Sequence, residues 1–222
     1  IDVITGAEIG AAIQPLMNGL DTPKVQRFPL AVNRVRYAGE WVCAVVAESR
    51  AIAEDALEKI IIDATPQPFV LDAEEALLPS SPPVHPEHGS NILLDRKFVW
   101  GTVGEDFVNA EHNLSFSVIW GRNSTVPIET FGVVAEWNGW DNILDVWASV
   151  QMPKYSDQIA RCLNLPGNAV RVHYDVDVGG SYGVKRGIKH ATLIGYIARK
   201  LGRPIRFIED RLENMRAGDA HG

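Results

Sequence analysis

The chain has 222 residues, of which 46% are hydrophobic and 22% charged, enough apolar material for one or two ordinary globular domains with a sizeable core. Its 28 acidic residues outnumber 21 basic ones for a net charge of −7, and no dense Lys/Arg stripe breaks that balance, so nucleic acid is excluded as a partner. The longest apolar run, Val42 to Ala47, falls far short of the roughly 20 residues that span a bilayer, and no cationic, apolar leader opens the chain.

The elements follow in chain order. Val42 to Glu48 is short, apolar and β-branched, which predicts a buried strand. Ser49 then offers an N-cap, and Ile52, Ala53, Ala56, Leu57 and Ile60 recur at helical spacing. Ile60 to Asp63 reads as a returning strand that Pro66 and Pro68 terminate. A proline-rich linker over 79–91 follows, where four prolines forbid a helix or a central strand. His85 and His88 lie in it at a metal-like spacing, but an extended backbone does not put both rings on one face, so no metal is assigned. Beyond the linker, Leu114 to Gly121, Phe131 to Trp137 and Ile143 to Val150 read as strands, the last two joined through a turn at Asn138-Gly139. Pro153 opens a helix to about Leu163, and Ala169 to Val176 is the next strand. After a glycine loop, a helix runs to Leu201, Gly202-Arg203-Pro204 stops it, and Ile205 to Ile208 forms a last strand. Cys43 and Cys162 each sit in an apolar stretch and read as two buried free thiols of a reducing compartment, hence a cytoplasmic protein. The start on Ile1 and the stop at Gly222 suggest a piece of something longer.

The segment richest in chemistry is Asp177-Val178-Gly179-Gly180-Ser181-Tyr182-Gly183-Val184-Lys185, between a strand and a helix. Three glycines in five residues permit positive φ and a close approach of another group to the backbone. A helix starting there would aim its amides and dipole at an anion or at metal-bound oxygens; otherwise the loop is a tight turn with no ligand. The same residues spell Gly-x-Ser-x-Gly, with Ser181 where a serine hydrolase places its nucleophile. That alternative needs an acid and then a histidine further on, and only Asp210 or Asp219 and His221 remain to supply them.

Several segments, in order, resemble the large, molybdopterin-binding subunit of the molybdenum hydroxylases, the group of xanthine dehydrogenase, aldehyde oxidase and carbon monoxide dehydrogenase. They are Val35 to Glu40, Val45 to Ser49, Ala53 to Ala56, Pro127-Ile128-Glu129 with Gly132 to Ala135, Trp147 to Gln151 with Pro153, Leu165 to Val172, the glycine loop, Leu201 to Ile205, and Glu209-Asp210-Arg211. The resemblance implies an α+β fold: a small α/β hammerhead domain over 1–80, a Pro-rich linker over 81–94, and the first part of a molybdopterin-binding domain over 95–222. It implies that Gln151 lies beside the molybdenum and hydrogen-bonds its apical oxo ligand, a task suited to a neutral amide. Gly180, Ser181, Tyr182 and Gly183 would line the cofactor, with main-chain groups near Tyr182 and Gly183 facing the metal's oxygen ligands. Glu129 and Lys185 are further candidates, or else a turn-fixing acid and a solvated lysine.

The loop departs from the family's common Gly-Gly-Gly-Phe-Gly-Gly-Lys at Ser181, Tyr182 and Val184, and Arg186 stands where some relatives hold a purine with an acid. Arg186 argues against xanthine itself, and the departures together blur the substrate. The resemblance further implies molybdenum on a molybdopterin, in its cytosine dinucleotide form in a bacterium. It implies hydroxylation of an aldehyde or N-heteroaromatic compound with oxygen from water, and electrons passed to iron–sulfur clusters and FAD on partner subunits in a dimer of heterotrimers. The family's catalytic glutamate lies outside these residues, so the 222-residue segment alone is expected to be inactive. The third alternative is a non-catalytic scaffold fragment.

Overall fold

A computed structural model describes residues 2–16, 25–121, 126–174 and 177–217. The chain opens on β1 (Asp2–Thr5), which pairs antiparallel with β2 (Cys43–Val46), Val3 facing Val45. Thr5 leaves the strand in an extended conformation and its hydroxyl accepts the Glu8 N–H at 3.3 Å, which starts α1 (Gly6–Ala12). Gly6 is pressed so closely on the next pass of the chain that an added Cβ would stand 1.7 Å from the Ala31 carbonyl oxygen. Because that obstacle is backbone and cannot rotate away, Gly6→Ala is expected to lower stability by about 3 kcal/mol. Urea unfolding followed by tryptophan fluorescence checks this, and an unchanged midpoint would show that the 25–32 segment yields freely.

Ser49 caps α2 (Arg50–Leu57), its hydroxyl accepting the Ile52 N–H at 3.3 Å. Asp72 does the same for the single turn α3 (Ala73–Ala76), and α4 spans Val103–Asn109. Two expected strands are not formed. Ile60 to Asp63 and Leu114 to Gly121 are without regular structure, with Ile61 and Ile119 more than nine-tenths exposed. Both have strand-forming composition, but a strand needs a neighbour to complete its hydrogen bonds, and neither pairs with another among the described residues.

The second half builds a four-stranded sheet of β3 (Gly132–Asn138), β4 (Ile143–Ala148), β5 (Val170–His173) and β6 (Ile205–Ile208), in the order β5-β4-β3-β6. The β3–β4 hairpin turns through Asn138, whose side chain accepts the Trp140 N–H, and through Asn142 at φ 54°. β5 runs parallel to β4, so the chain must cross over between them, and α5 (Tyr155–Cys162) makes that crossing. α6 (Lys189–Leu201) lies over β3 and β4, with Gly195 admitting Leu144 against the helix axis, and ends on Gly202 in the left-handed region. α7 (Arg211–Ala217) starts with a reciprocal pair, the Asp210 carboxylate accepting the Glu213 N–H and the Glu213 carboxylate the Asp210 N–H.

The architecture is α+β, as expected. Ile4, Ile9 and Leu30 share one buried cluster with Val133, Val146, Ile159 and Ile197. At the surface Lys200 of α6 bridges Asp2 and Glu8, each at 2.8 Å. Cys162 is buried as expected, but Cys43 is only half-buried; the two form no disulfide, and burial pushes the Cys43 thiol up.

Candidate functional site

The parallel pairing of β4 with β5 sends both chains out of the sheet at the same end, Trp147 lying opposite His173. The three residues after β4 reach Gln151, and the segment after β5 contains the glycine loop, so sheet topology brings the two sequence candidates together. They are joined directly. The Ser181 hydroxyl donates to the Gln151 side-chain oxygen, and the Gln151 backbone N–H donates to the Lys185 carbonyl at 3.3 Å. Ser181 Oγ in turn accepts the Lys185 N–H at 3.2 Å.

The loop holds its shape through positive φ at three positions, Gly180 (86°), Tyr182 (52°) and Gly183 (99°). Glycine adopts this region freely, whereas for a bulky tyrosine it is strained and persists only where the surroundings impose it. Tyr182 is 70% exposed, so its ring is not a core aromatic. The backbone N–H groups of Ser181, Tyr182 and Gly183 have no hydrogen-bond partner among the described residues, which leaves three successive donors on an exposed loop.

Beneath the loop lies a support that the sequence reading left open between function and structure. Lys185 is completely buried and its ammonium pairs with the Glu129 carboxylate, which also accepts the Gly179 N–H at 2.9 Å. Burial pushes the Glu129 carboxyl up, but the Lys185 ammonium and the Gly179 N–H outweigh it and hold the group below the usual carboxylate range. A Cβ on Gly179 would meet the Glu129 Cβ at 2.7 Å, so only glycine lets the loop lie on this side chain. Arg211 of α7 fixes the other side, donating to the Ile128 carbonyl at 2.7 Å. Lys185 is therefore not a solvated lysine, and Glu129 does more than end a turn. Arg211 and α7 were not anticipated as part of this support, although Asp210-x-x-Glu213 is a readable helix-start pattern.

Two expectations need correction. The loop does not feed a helix start directly. A single 3-10 turn, Val184–Arg186, intervenes, Lys185 in it is non-helical, and α6 begins only at Lys189, so any donors the loop offers are its own amides and not a helix dipole. Nor does Ser181 have the setting of a hydrolase nucleophile: its hydroxyl donates to an amide oxygen, not to a base, and the positive φ falls on its neighbours Gly180 and Tyr182. Asp219 and His221 lie outside the described residues. In the linker, His85 pairs with Glu87 at 3.1 Å and His88 with the Ile92 carbonyl at 3.1 Å, two separate local contacts. A cavity of about 310 Å³ lined by Trp137, Asp141, Leu165 and Arg199 lies by the β3–β4 turn, at the far end of β4 from Gln151.

A family model for the molybdopterin cofactor-binding domain matches residues 84–221. The chain is 37% identical over 187 residues to the 6-hydroxypseudooxynicotine dehydrogenase complex subunit gamma of Paenarthrobacter nicotinovorans, covering 84% of this chain and 23% of that one. It is 35% identical over 193 residues to the nicotine 6-hydroxylase large subunit of the same organism, covering 85% and 23%. Among solved structures it is similar to quinoline 2-oxidoreductase from Pseudomonas putida 86, with a TM-score of 0.84 and 30% identity over 96% of this chain and 28% of that one. The chain thus spans about a quarter of the length of the relatives it matches.

Proposed function

Because the chain belongs to the molybdopterin cofactor-binding domain family, we propose that it forms the front part of a molybdenum hydroxylase large subunit, with the Gln151–glycine-loop junction as its contribution to the active site. The observation that carries this reading is the donor set. Gln151 stands against a loop with three successive backbone N–H groups that have no partner among the described residues, which is what an oxygen-rich, anionic group requires. The residues present fit a molybdopterin-bound molybdenum: the Gln151 amide and the backbone N–H groups of Ser181, Tyr182 and Gly183 would hold it, with Gly180 keeping the backbone clear of a Cβ. When bound, that group supplies the two-electron oxidation that places an oxygen from water on a substrate carbon. The chain's own residues orient the group and donate hydrogen bonds to its oxygens, and the catalytic base comes from elsewhere in the subunit.

On this reading residues 1–80 are the hammerhead domain, 81–94 the linker and 95–222 the start of the cofactor-binding domain. The substrate is an N-heteroaromatic compound. Two of the relatives named above, acting on nicotine and quinoline, favour that over an aldehyde. Names that call relatives subunit gamma and large subunit favour partner chains, which would carry iron–sulfur clusters and FAD in a dimer of heterotrimers. The cofactor is the cytosine dinucleotide form, and two cysteines that form no disulfide fit a cytoplasmic setting.

The test is metal and pterin analysis of the native complex that contains this chain. Stoichiometric molybdenum with a pterin is expected, with iron and flavin on co-purifying chains. A folded complex with neither molybdenum nor pterin would overturn the proposal. Residues 1–222 produced alone are expected to retain little molybdenum and no hydroxylase turnover, because most of the relatives' length lies outside them; full turnover by this segment would contradict the split site.

A further inference from the structure

We propose that Ser181 is a positioning residue that fixes the polarity of the Gln151 carboxamide, its oxygen held by the protein and its NH2 turned outward, so that the junction offers a ligand donors only. The inference deepens the functional reading above and rests on it. Its starting point is the hydroxyl's own bonding. A serine oxygen has one proton to give and lone pairs to receive, and its proton rotates to whichever acceptor is available. Here the Lys185 N–H already donates to Ser181 Oγ at 3.2 Å, and the one acceptor the hydroxyl reaches among the described residues is Gln151 Oε1. If the amide were turned over, its NH2 could still donate to the second lone pair of the serine oxygen, but the hydroxyl proton would lose the one acceptor it reaches among the described residues. That loss opposes the turned orientation, so the oxygen stays inward.

The backbone reinforces the choice. The Gln151 N–H donates to the Lys185 carbonyl, so the residue that carries the amide is tied by its main chain to the residue that orients the serine. Lys185 is in turn anchored through its buried ammonium to Glu129. The exposed Gln151 side chain therefore has one fixed end and one free end. Its NH2 has no partner among the described residues, which matches the free N–H groups of Ser181, Tyr182 and Gly183. A glycine or alanine at position 181 would leave the amide able to present either a donor or an acceptor. With serine the choice is made before a ligand arrives, and an acceptor oxygen is favoured over a donor group.

The experiment uses the full-length subunit in its native complex, as wild type, Ser181→Ala, Ser181→Gly, Ser181→Thr, Gln151→Ala and the Ser181→Ala/Gln151→Ala double variant. Molybdenum content is measured first, then the Mo(V) electron paramagnetic resonance spectrum after dithionite reduction. The alanine and glycine variants should keep their molybdenum and show the same shift in g-values. Threonine, which restores the hydroxyl, should return the spectrum to that of wild type. In the Gln151→Ala background, removing the hydroxyl should produce no further shift, because the amide through which it acts is gone. Spectra of Ser181→Ala and Ser181→Gly identical to wild type at full loading would overturn the inference and leave the functional reading intact. So would a shift that simply adds in the double variant. A wild-type complex without molybdenum would remove the functional reading itself.

Discussion

Replacing Glu129 by alanine is expected to lower stability by about 3–5 kcal/mol, whereas replacing Lys185 by methionine is expected to cost only about 1 kcal/mol. The asymmetry follows from burial. The Lys185 side chain has no exposure at all, while that of Glu129 is 38% exposed. Without Glu129, an ammonium is left in a place where water cannot reach it, and it must either remain charged at a high desolvation cost or give up its proton. Without Lys185, the carboxylate turns partly to solvent and still accepts the Gly179 N–H at 2.9 Å. Methionine also fills most of the volume that the lysine chain occupied. The double variant Glu129→Ala/Lys185→Met should therefore be more stable than Glu129→Ala alone, a recovery that independent losses would not give. Urea unfolding of the four forms, with tryptophan fluorescence as the signal, decides the matter. Equal losses in both single variants would mean that the ammonium reaches water. Because the same carboxylate holds Gly179, Glu129→Ala should also loosen the loop, seen as faster exchange of its hydrogen-bonded amides at Gly179, Gly180, Val184 and Lys185.

What could be read from the sequence was local pattern; what could not was partnership. β2, α2, β3, β4, α6 and β6 lie close to where apolar periodicity, the Ser49 cap and the Asn138-Gly139 turn put them, because each carries its own period or its own stop signal. The runs at Ile60 and Leu114 have an equally good strand composition and form no strand, since a ladder needs a second chain segment and composition says nothing about whether one is in reach. β1 and α1 went unread although Thr5-Gly6-Ala7-Glu8 is a capping pattern, because four strand residues are too few to show a period. In the site, Gln151 and the glycine loop were recognised separately by resemblance, and parallel pairing of β4 with β5 is what makes them neighbours. The hydroxyl that links them sits at one of the loop's departures from the family pattern. The departure first read as blurring the substrate is thus a residue in contact with Gln151. Lys185 illustrates the opposite limit: a lysine next to a glycine loop is more often solvated, and only its full burial against Glu129 reveals that it supports the loop.

Acid is expected to unfasten the junction of the N-terminal segment with the sheet, through Glu209. This carboxylate lies just beyond β6, is buried, and accepts the Phe131 N–H at 3.3 Å and the Asn214 amide at 2.9 Å. Its other oxygen lies 3.4 Å from His190 Nε2. Burial pushes the carboxyl up, but the neighbouring His190 ring, with the Asn214 and Phe131 donors, outweighs it and holds the group below its ordinary value of 4.5. A carboxyl depressed in the folded state stabilises it fully above that ordinary value, and the contribution fades as pH falls through the folded one. The loss therefore belongs to the range below about 4.5. Glu213, pushed up by burial, runs the other way: its contribution is present in acid and declines as pH rises past 4.5. The two slopes occupy adjacent windows, so Glu213→Gln should leave the acid-side loss in place. His190 connects the titration to structure, since its ring stacks on Phe131 at 4.4 Å and meets Trp41 edge-on at 4.8 Å. Glu209→Ala removes the acceptor for two donors and the carboxylate beside the imidazole, and is expected to lower stability at neutral pH by about 3–5 kcal/mol while flattening its dependence below pH 4.5. Glu209→Gln keeps an acceptor, so it should cost less at neutral pH and flatten the acid limb just as much. Unfolding midpoints of wild type and both variants between pH 3 and 7 give the answer: an acid limb as steep in Glu209→Gln as in wild type would place the titrating group elsewhere.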